Sequence, residues 1–213
     1  MMHPTPKTTR RGLLIMFDGP DGVGKTTQIE FTKRALVEKG HKVHTSRLSG
    51  GTKIGEALRE VSLNPKLERS PLTDLYIMLA MYSALEDDLK PRLADGYICL
   101  IDRSPLSIIA YQVFGSGLPM EIGQVAVDEA LAIFLPNLIV CYEASEQTLL
   151  AQRNEREQAT LDFFESQSIE YMRRVVGGFR EAAAMYKIKT IVVNASPEEV
   201  HSKTLHYITA KLF

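Results

Sequence analysis

Residues 16–28, MFDGPDGVGKTTQ, set the end of an apolar run against a glycine-rich turn that closes on a lysine and two threonines. Gly19 to Thr26 fits the pattern G-x-x-x-x-G-K-[ST], with a strand-like run before it and a helix-like stretch after it, the context the pattern requires. Each residue type has a physical reason. Gly19, Gly22 and Gly24, with Val23 between them, let the backbone turn its N–H groups inward around phosphate oxygens. The helix N-terminus that follows adds partial positive charge at Lys25, Thr26 and Thr27. A lysine at this point spans the β- and γ-phosphates of ATP, and the Thr26 hydroxyl ligates Mg²⁺. Asp21 is the anomaly, a carboxylate inside an anion cradle.

The loop belongs to a larger pattern. Five short apolar runs read as strands: Leu13 to Phe17, Lys42 to Ser46, Tyr97 to Ile101, Leu138 to Tyr142 and Thr190 to Val193. Most are continuously apolar, as strands covered on both faces are. Helical stretches separate them. Thr27 to Lys39 carries Ile29, Thr32 and Leu36 on one face and stops at Gly40. Ser196-Pro197-Glu198-Glu199 opens a last helix with an N-cap serine, proline at the first turn and glutamate at the third position. Strands alternating with helices require crossover connections, so the expected fold class is α/β, a five-stranded parallel sheet with helices on both faces. In such sheets ligands bind beyond the carboxyl ends of the strands.

The bulk numbers narrow the partners. At 213 residues, 45% hydrophobic and net charge −1, the chain suits one domain over 11–213, preceded by a disordered polar leader over 1–10. Near-neutral charge argues against coating nucleic acid or an anionic membrane, so any polyanion partner is expected to be small, and with the phosphate loop that means small-molecule nucleotides. No run approaches the roughly 20 apolar residues of a membrane span. Cys99 and Cys141 lie in separate apolar runs with no Cys-x-x-Cys, and read as core residues of a cytoplasmic protein.

A second chemical segment, DRSPLSIIAYQ at 102–112, follows the third strand. Asp102 at a strand's carboxyl end suits Mg²⁺, and Arg103 offers a planar five-donor fork to a phosphate. A guanine-reading Asn-Lys-x-Asp and a strand-end Asp-x-x-Gly are both missing, which argues against a GTP switch.

With these residues in place, the chain resembles the thymidylate kinases. Their F-E-G-x-D/E-G-x-G-K-T-T stands here as Phe17 to Thr27, and their D-R-Y/H-x-x-S-x-x-A-Y-Q as Asp102, Arg103, Ser104, Ser107, Ala110, Tyr111 and Gln112. SRLSGGTKIGEALRE is similar to T-R-E-P-G-G-T-P-I-G-E-x-L-R-E, and LDFFESQSIEYMRRVVGGF keeps the spacing of the family's lid end and following helix. The resemblance implies a P-loop enzyme moving the ATP γ-phosphate to dTMP, with Mg²⁺, as a homodimer. It implies that Asp21 faces the acceptor sugar, that Arg47 and Arg103 hold the acceptor phosphate, and that Ser107, Tyr111 and Gln112 lie near sugar and base. A lid around 153–161 would bring Arg153 and Arg156 over the transferring phosphate as catalytic cations beside Lys25, Arg103 and Asp21.

The departures are specific. R-E-P is Arg47-Leu48-Ser49 here, without the glutamate or the stiffening proline. In the family's central helix a phenylalanine stacks on thymine and an arginine reaches its oxygen. Counting back from Pro91 places Ile77 and Met81 there, which predicts an apolar base pocket with weak thymine selectivity. The same helix also suits the core or a second subunit. Another nucleotide as acceptor, or a degenerate nucleotide binder, are the alternatives.

Overall fold

The computed structural model describes residues 12–145, 148–149 and 168–213. The expected leader and the lid with Arg153 and Arg156 lie outside the described residues. Five strands appear where the apolar runs placed them: β1 Leu13–Asp18, β2 Val43–Arg47, β3 Ile98–Asp102, β4 Leu138–Glu143 and β5 Thr190–Val192. All pair in parallel, in the order β2-β3-β1-β4-β5, so β1 is central and the chain departs from it toward both edges.

The helices are α1 Lys25–Glu38, α2 Lys53–Leu63, α3 Pro71–Ala94, α4 Met120–Phe134, α5 Ile169–Met185 and α6 Pro197–Leu212, with a π-helical segment over Ile109–Gly115. Successive β1 side chains divide them between the two faces of the sheet. Leu14 and Met16 pack with Leu85 and Leu89 of α3 and Val127 of α4; Ile15 and Phe17 pack with Ile29 and Leu36 of α1 and Val200 and Ile208 of α6. Cys99 joins the first layer, and both cysteines are free and buried.

Local signals explain most element ends. Ser196 Oγ accepts from Glu199 N while Glu199 Oε2 accepts from Ser196 N, a complete capping box that opens α6. Ser70 caps α3, with Pro71 at its first position. At its other end α3 runs through Pro91 rather than breaking there. Helix α1 begins at Lys25, two residues earlier than the sequence reading, because Gly24 takes φ 92° and caps it directly. The phosphate-loop lysine is thus the first helical residue.

The parallel register brings the chemistry to one edge. Asp102 lies opposite both Phe17 and Arg47, so the P-loop, the segment after β3 and the end of β2 all emerge at the carboxyl ends of neighbouring strands. Arg103 N bonds Phe17 O and Leu48 N bonds Asp102 O, continuing the ladder past the strands.

Candidate active site

A cleft of about 1080 Å³ opens above these strand ends. That exceeds the roughly 300–1,000 Å³ usual for one small ligand, and suits two nucleotides meeting end to end. Residues Asp21 to Gln28, with Asp102 and Arg103, form its floor. Toward β2 it is walled by Arg47, Ser49, Arg59, Met78, Met81, Ser107, Tyr111 and Gln112. Toward β5 it is walled by Thr148, Val193, Asn194, Ala195, Pro197 and Val200.

The P-loop is a forced backbone conformation. Gly19 has φ 135°, and a Cβ there would stand 2.5 Å from Tyr142 O, so only glycine lets the loop pass β4. Lys25 is 6% exposed, and its Nζ donates to Gly19 O and Pro20 O, both at 2.9 Å. Burial, with Arg103 as a neighbouring cation, lowers its pKa from 10.5 to about 8, against the pull of Asp21, Asp102 and Asp18. Between those values the unfolded chain holds a proton that the folded protein has released. Stability therefore rises with pH through this window, and the full burden of the buried charge is felt below it.

A polyphosphate beside Lys25 restores the charged form. Nucleotide binding is expected to take up a proton between pH 8 and 10.5, read by calorimetry as a binding heat that varies with the buffer's ionisation enthalpy. Lys25→Met should abolish that variation, and a wild-type heat independent of buffer would contradict the assignment.

Asp21 resolves its own anomaly. Its Oδ1 accepts from Arg103 Nη2 and its Oδ2 accepts from the Tyr111 hydroxyl at 2.6 Å, so the carboxylate is turned toward the β2 side of the cleft. Arg103 also donates to Gly19 O at 3.0 Å and lies over the Tyr111 ring, 5.0 Å from its centroid. At φ 77° it is one of three non-glycine residues at positive φ among the described residues, a conformation worth about 1–3 kcal/mol of strain. The strain is held beneath by Asp18, fully buried, which accepts from Gly19 N, Ser104 N, Ser104 Oγ and Ser107 Oγ. Burial raises the Asp18 pKa, partly opposed by Arg103, the two serines and Lys25.

The remaining expected residues fall out unevenly. Arg47 lines the cleft, but its guanidinium is forked onto Glu56 at 3.2 and 2.5 Å. Ser107 lines it too, yet its hydroxyl proton goes to Asp18 at 2.7 Å, so it supports the loop rather than offering a donor to a ligand. Met81 is in the cleft, whereas Ile77 is not among the lining residues and packs against the core; Met78 takes its place. Leu48, where the family has glutamate, is fully buried in the core. The missing proline's stiffness is supplied by Arg59 Nη1 on Ser49 O and by Glu56 Oε1 on Gly51 N.

Reasoning from sequence missed three contributors. Arg59 is a cleft cation on α2. Gln28 donates Nε2 to Pro197 O and keeps its buried Oε1 without a partner. Asn194 to Pro197, the turn into α6, walls the β5 side. The capping serine at 196 was the available signal, since it fixes a tight turn beyond a strand's carboxyl end.

Thr26, exposed at the start of α1, and Asp102, whose buried Oδ1 has no partner, both line the cleft. These are hard oxygen donors, and they fit Mg²⁺, which binds through one or two protein oxygens plus phosphates and water. Among the described residues no group of three or more His, Cys, Asp or Glu could hold a metal alone.

A parallel sheet with a P-loop after its central strand, opening on a two-sided cleft with arginines along one side, defines a P-loop nucleotide kinase. The sequence pattern of the thymidylate kinase family matches residues 17–204. The chain is 32% identical over 208 residues to the thymidylate kinase of Synechococcus sp. (strain RCC307), covering 93% of this chain and 96% of that one. It is 33% identical over 207 residues to that of Hahella chejuensis (strain KCTC 2396), covering 95% and 99%. Its fold matches the crystal structure of thymidylate kinase from Ehrlichia chaffeensis with a TM-score of 0.69 at 23% identity, over 93% of this chain and 98% of that one. The chain belongs to the thymidylate kinase family, ATP-dependent kinases whose reaction phosphorylates dTMP.

Proposed function

We propose that this chain performs its family's reaction, ATP + dTMP giving ADP + dTDP, with a division of labour set by the cleft. ATP lies toward β5, its phosphates on the P-loop amides of Gly19 to Thr27 and on Lys25. The dTMP lies toward β2, with its phosphate on Arg103, Arg47 and Arg59, its sugar against Asp21 and Tyr111, and its base between Met78, Met81 and Gln112. The observation that carries this is the Arg103–Asp21–Tyr111 cluster, in which the P-loop carboxylate is held by the arginine after β3 and by the tyrosine of the π-helical segment.

An oxygen of the acceptor phosphate attacks the γ-phosphorus while the bond to the ADP oxygen breaks. The acceptor is already ionised at neutral pH, so no side chain need remove a proton. What the protein supplies is alignment and positive charge. Mg²⁺ held by Thr26 and Asp102 would add charge neutralisation on the donor phosphates, and Arg153 and Arg156 would close over them from the lid. Expected from a coupled ADP-release assay across the common nucleoside monophosphates is turnover with dTMP. Silence on every acceptor, with ATP still bound, would instead support a degenerate binder.

The protein is further proposed to be one domain over 11–213, cytoplasmic, and a homodimer. No described helix is long and apolar enough to cross a membrane. Leu72, Tyr76, Ala80 and Ser83 form an uncharged, exposed stripe on α3 that supports self-association. Sedimentation should give twice the chain mass, and a charge at Tyr76 should halve it.

A further inference from the structure

Gln112 is fully buried, and its two amide ends are in different situations. Nε2 donates to Asp74 Oδ2 at 3.3 Å, while Oε1 has no partner and the residue lines the cleft. Asp74 is itself gripped: its Oδ1 accepts from Arg69 Nε at 2.5 Å, and both side chains are only 6% exposed. Arg69 is anchored in turn by Ser62 O and by Leu67 O at 3.1 Å. An ionised carboxylate accepts hydrogen bonds and cannot donate them, so the Gln112 end that meets Asp74 has to be the NH₂. The amide cannot turn over without placing its oxygen against a negative charge.

We propose that Arg69 and Asp74 are positioning residues that lock the Gln112 amide with its carbonyl toward the acceptor base, and so make the site select bases with a ring N–H. This rests on the dTMP reading above. Thymine and uracil present N3–H, which the fixed carbonyl accepts. Cytosine presents a lone pair at N3, and the carbonyl repels it. The contact does not separate thymine from uracil, whose difference is a methyl group. The apolar pocket of Met78 and Met81 therefore carries a polar discriminator, placed by a pair outside the cleft lining, where the sequence reading expected weak thymine selectivity.

The experiment compares kcat/KM for dTMP and dCMP in wild type, Asp74→Asn, Arg69→Met and Arg69→Lys, with thermal melting as the check on folding. In Asp74→Asn the new side-chain amide offers Gln112 either a donor or an acceptor, so the glutamine is free to turn. The dTMP/dCMP ratio is expected to fall about tenfold or more. Arg69→Met should lower it as well, and Arg69→Lys, which keeps a cation on Asp74, should hold it near wild type. A purely structural pair would depress both substrates together. An unchanged ratio in either folded variant, Asp74→Asn or Arg69→Met, overturns the inference while leaving the dTMP reading intact, as does a wild type that turns over dCMP as well as dTMP. A wild type inert toward dTMP removes the functional reading itself.

Discussion

Lys25→Ala is expected to lower kcat roughly 10²–10³-fold, the loss seen when one preorganised charge donor is removed from a transition state, while dTMP affinity changes little. The ammonium is buried at the first turn of α1 and bonded to two carbonyls of its own loop, Gly19 O and Pro20 O. These bonds hold it within the loop on which the donor phosphates are proposed to lie. Burial pushes its pKa down to about 8, a disadvantage for the charge that a polyphosphate would relieve. Charge moves onto the ADP oxygen during transfer, so in the proposed role Lys25 would act most strongly on the transition state. Acceptor binding on the β2 side does not require it. Steady-state ADP release gives kcat, and calorimetric titration with dTMP gives the affinity. A loss confined to dTMP affinity, or a kcat within a few-fold of wild type, would remove Lys25 from this role.

What could be seen in the sequence follows the reach of each interaction. The five strands were legible because runs such as LLIMF and YICLI are continuously apolar and bounded by turns. The P-loop was legible because glycine, lysine and threonine at fixed spacing have few other uses. Harder to see was anything decided between distant segments. Ser107 was placed at the acceptor site with no sign of its partner, because Asp18 is 89 residues away and is joined to it only by the fold. Ile77 was misplaced by one residue on α3. A helix turns about 100° per residue, so that slip exchanged a core-packed side chain for the cleft-facing Met78. The π-helical segment carrying Tyr111 and Gln112 gave no local signal. It packs against α5 where Gly178 leaves room, since a Cβ there would stand 2.7 Å from Ala110 Cα. Nor did Arg69 stand out, because a single arginine before a helix gives no hint that it closes on Asp74.

Arg103→Ala is expected to weaken dTMP binding and slow turnover together, with kcat/KM down by about 10²-fold or more, in line with the roughly 2–5 kcal/mol of a truncated, hydrogen-bonded charge. The guanidinium is bonded to Asp21 and Gly19 O and lies over the Tyr111 ring, so it joins the P-loop to the β2 side of the cleft. Removing it takes away the fork proposed for the acceptor phosphate and leaves Lys25 as the remaining P-loop cation to offset Asp21 and Asp102 against an anionic substrate. Lysine should recover only part of the activity, because a point charge cannot bond Asp21, Gly19 O and a phosphate at once. The backbone supplies a control. At φ 77° alanine keeps the strain that arginine bears, whereas glycine relieves it. Arg103→Gly should therefore be as inactive as Arg103→Ala but more stable by about 1 kcal/mol, measured by denaturant unfolding. If calorimetry gives Arg103→Ala the wild-type affinity for dTMP, the acceptor phosphate is held elsewhere, with Arg47 and Arg59 the cations next to test.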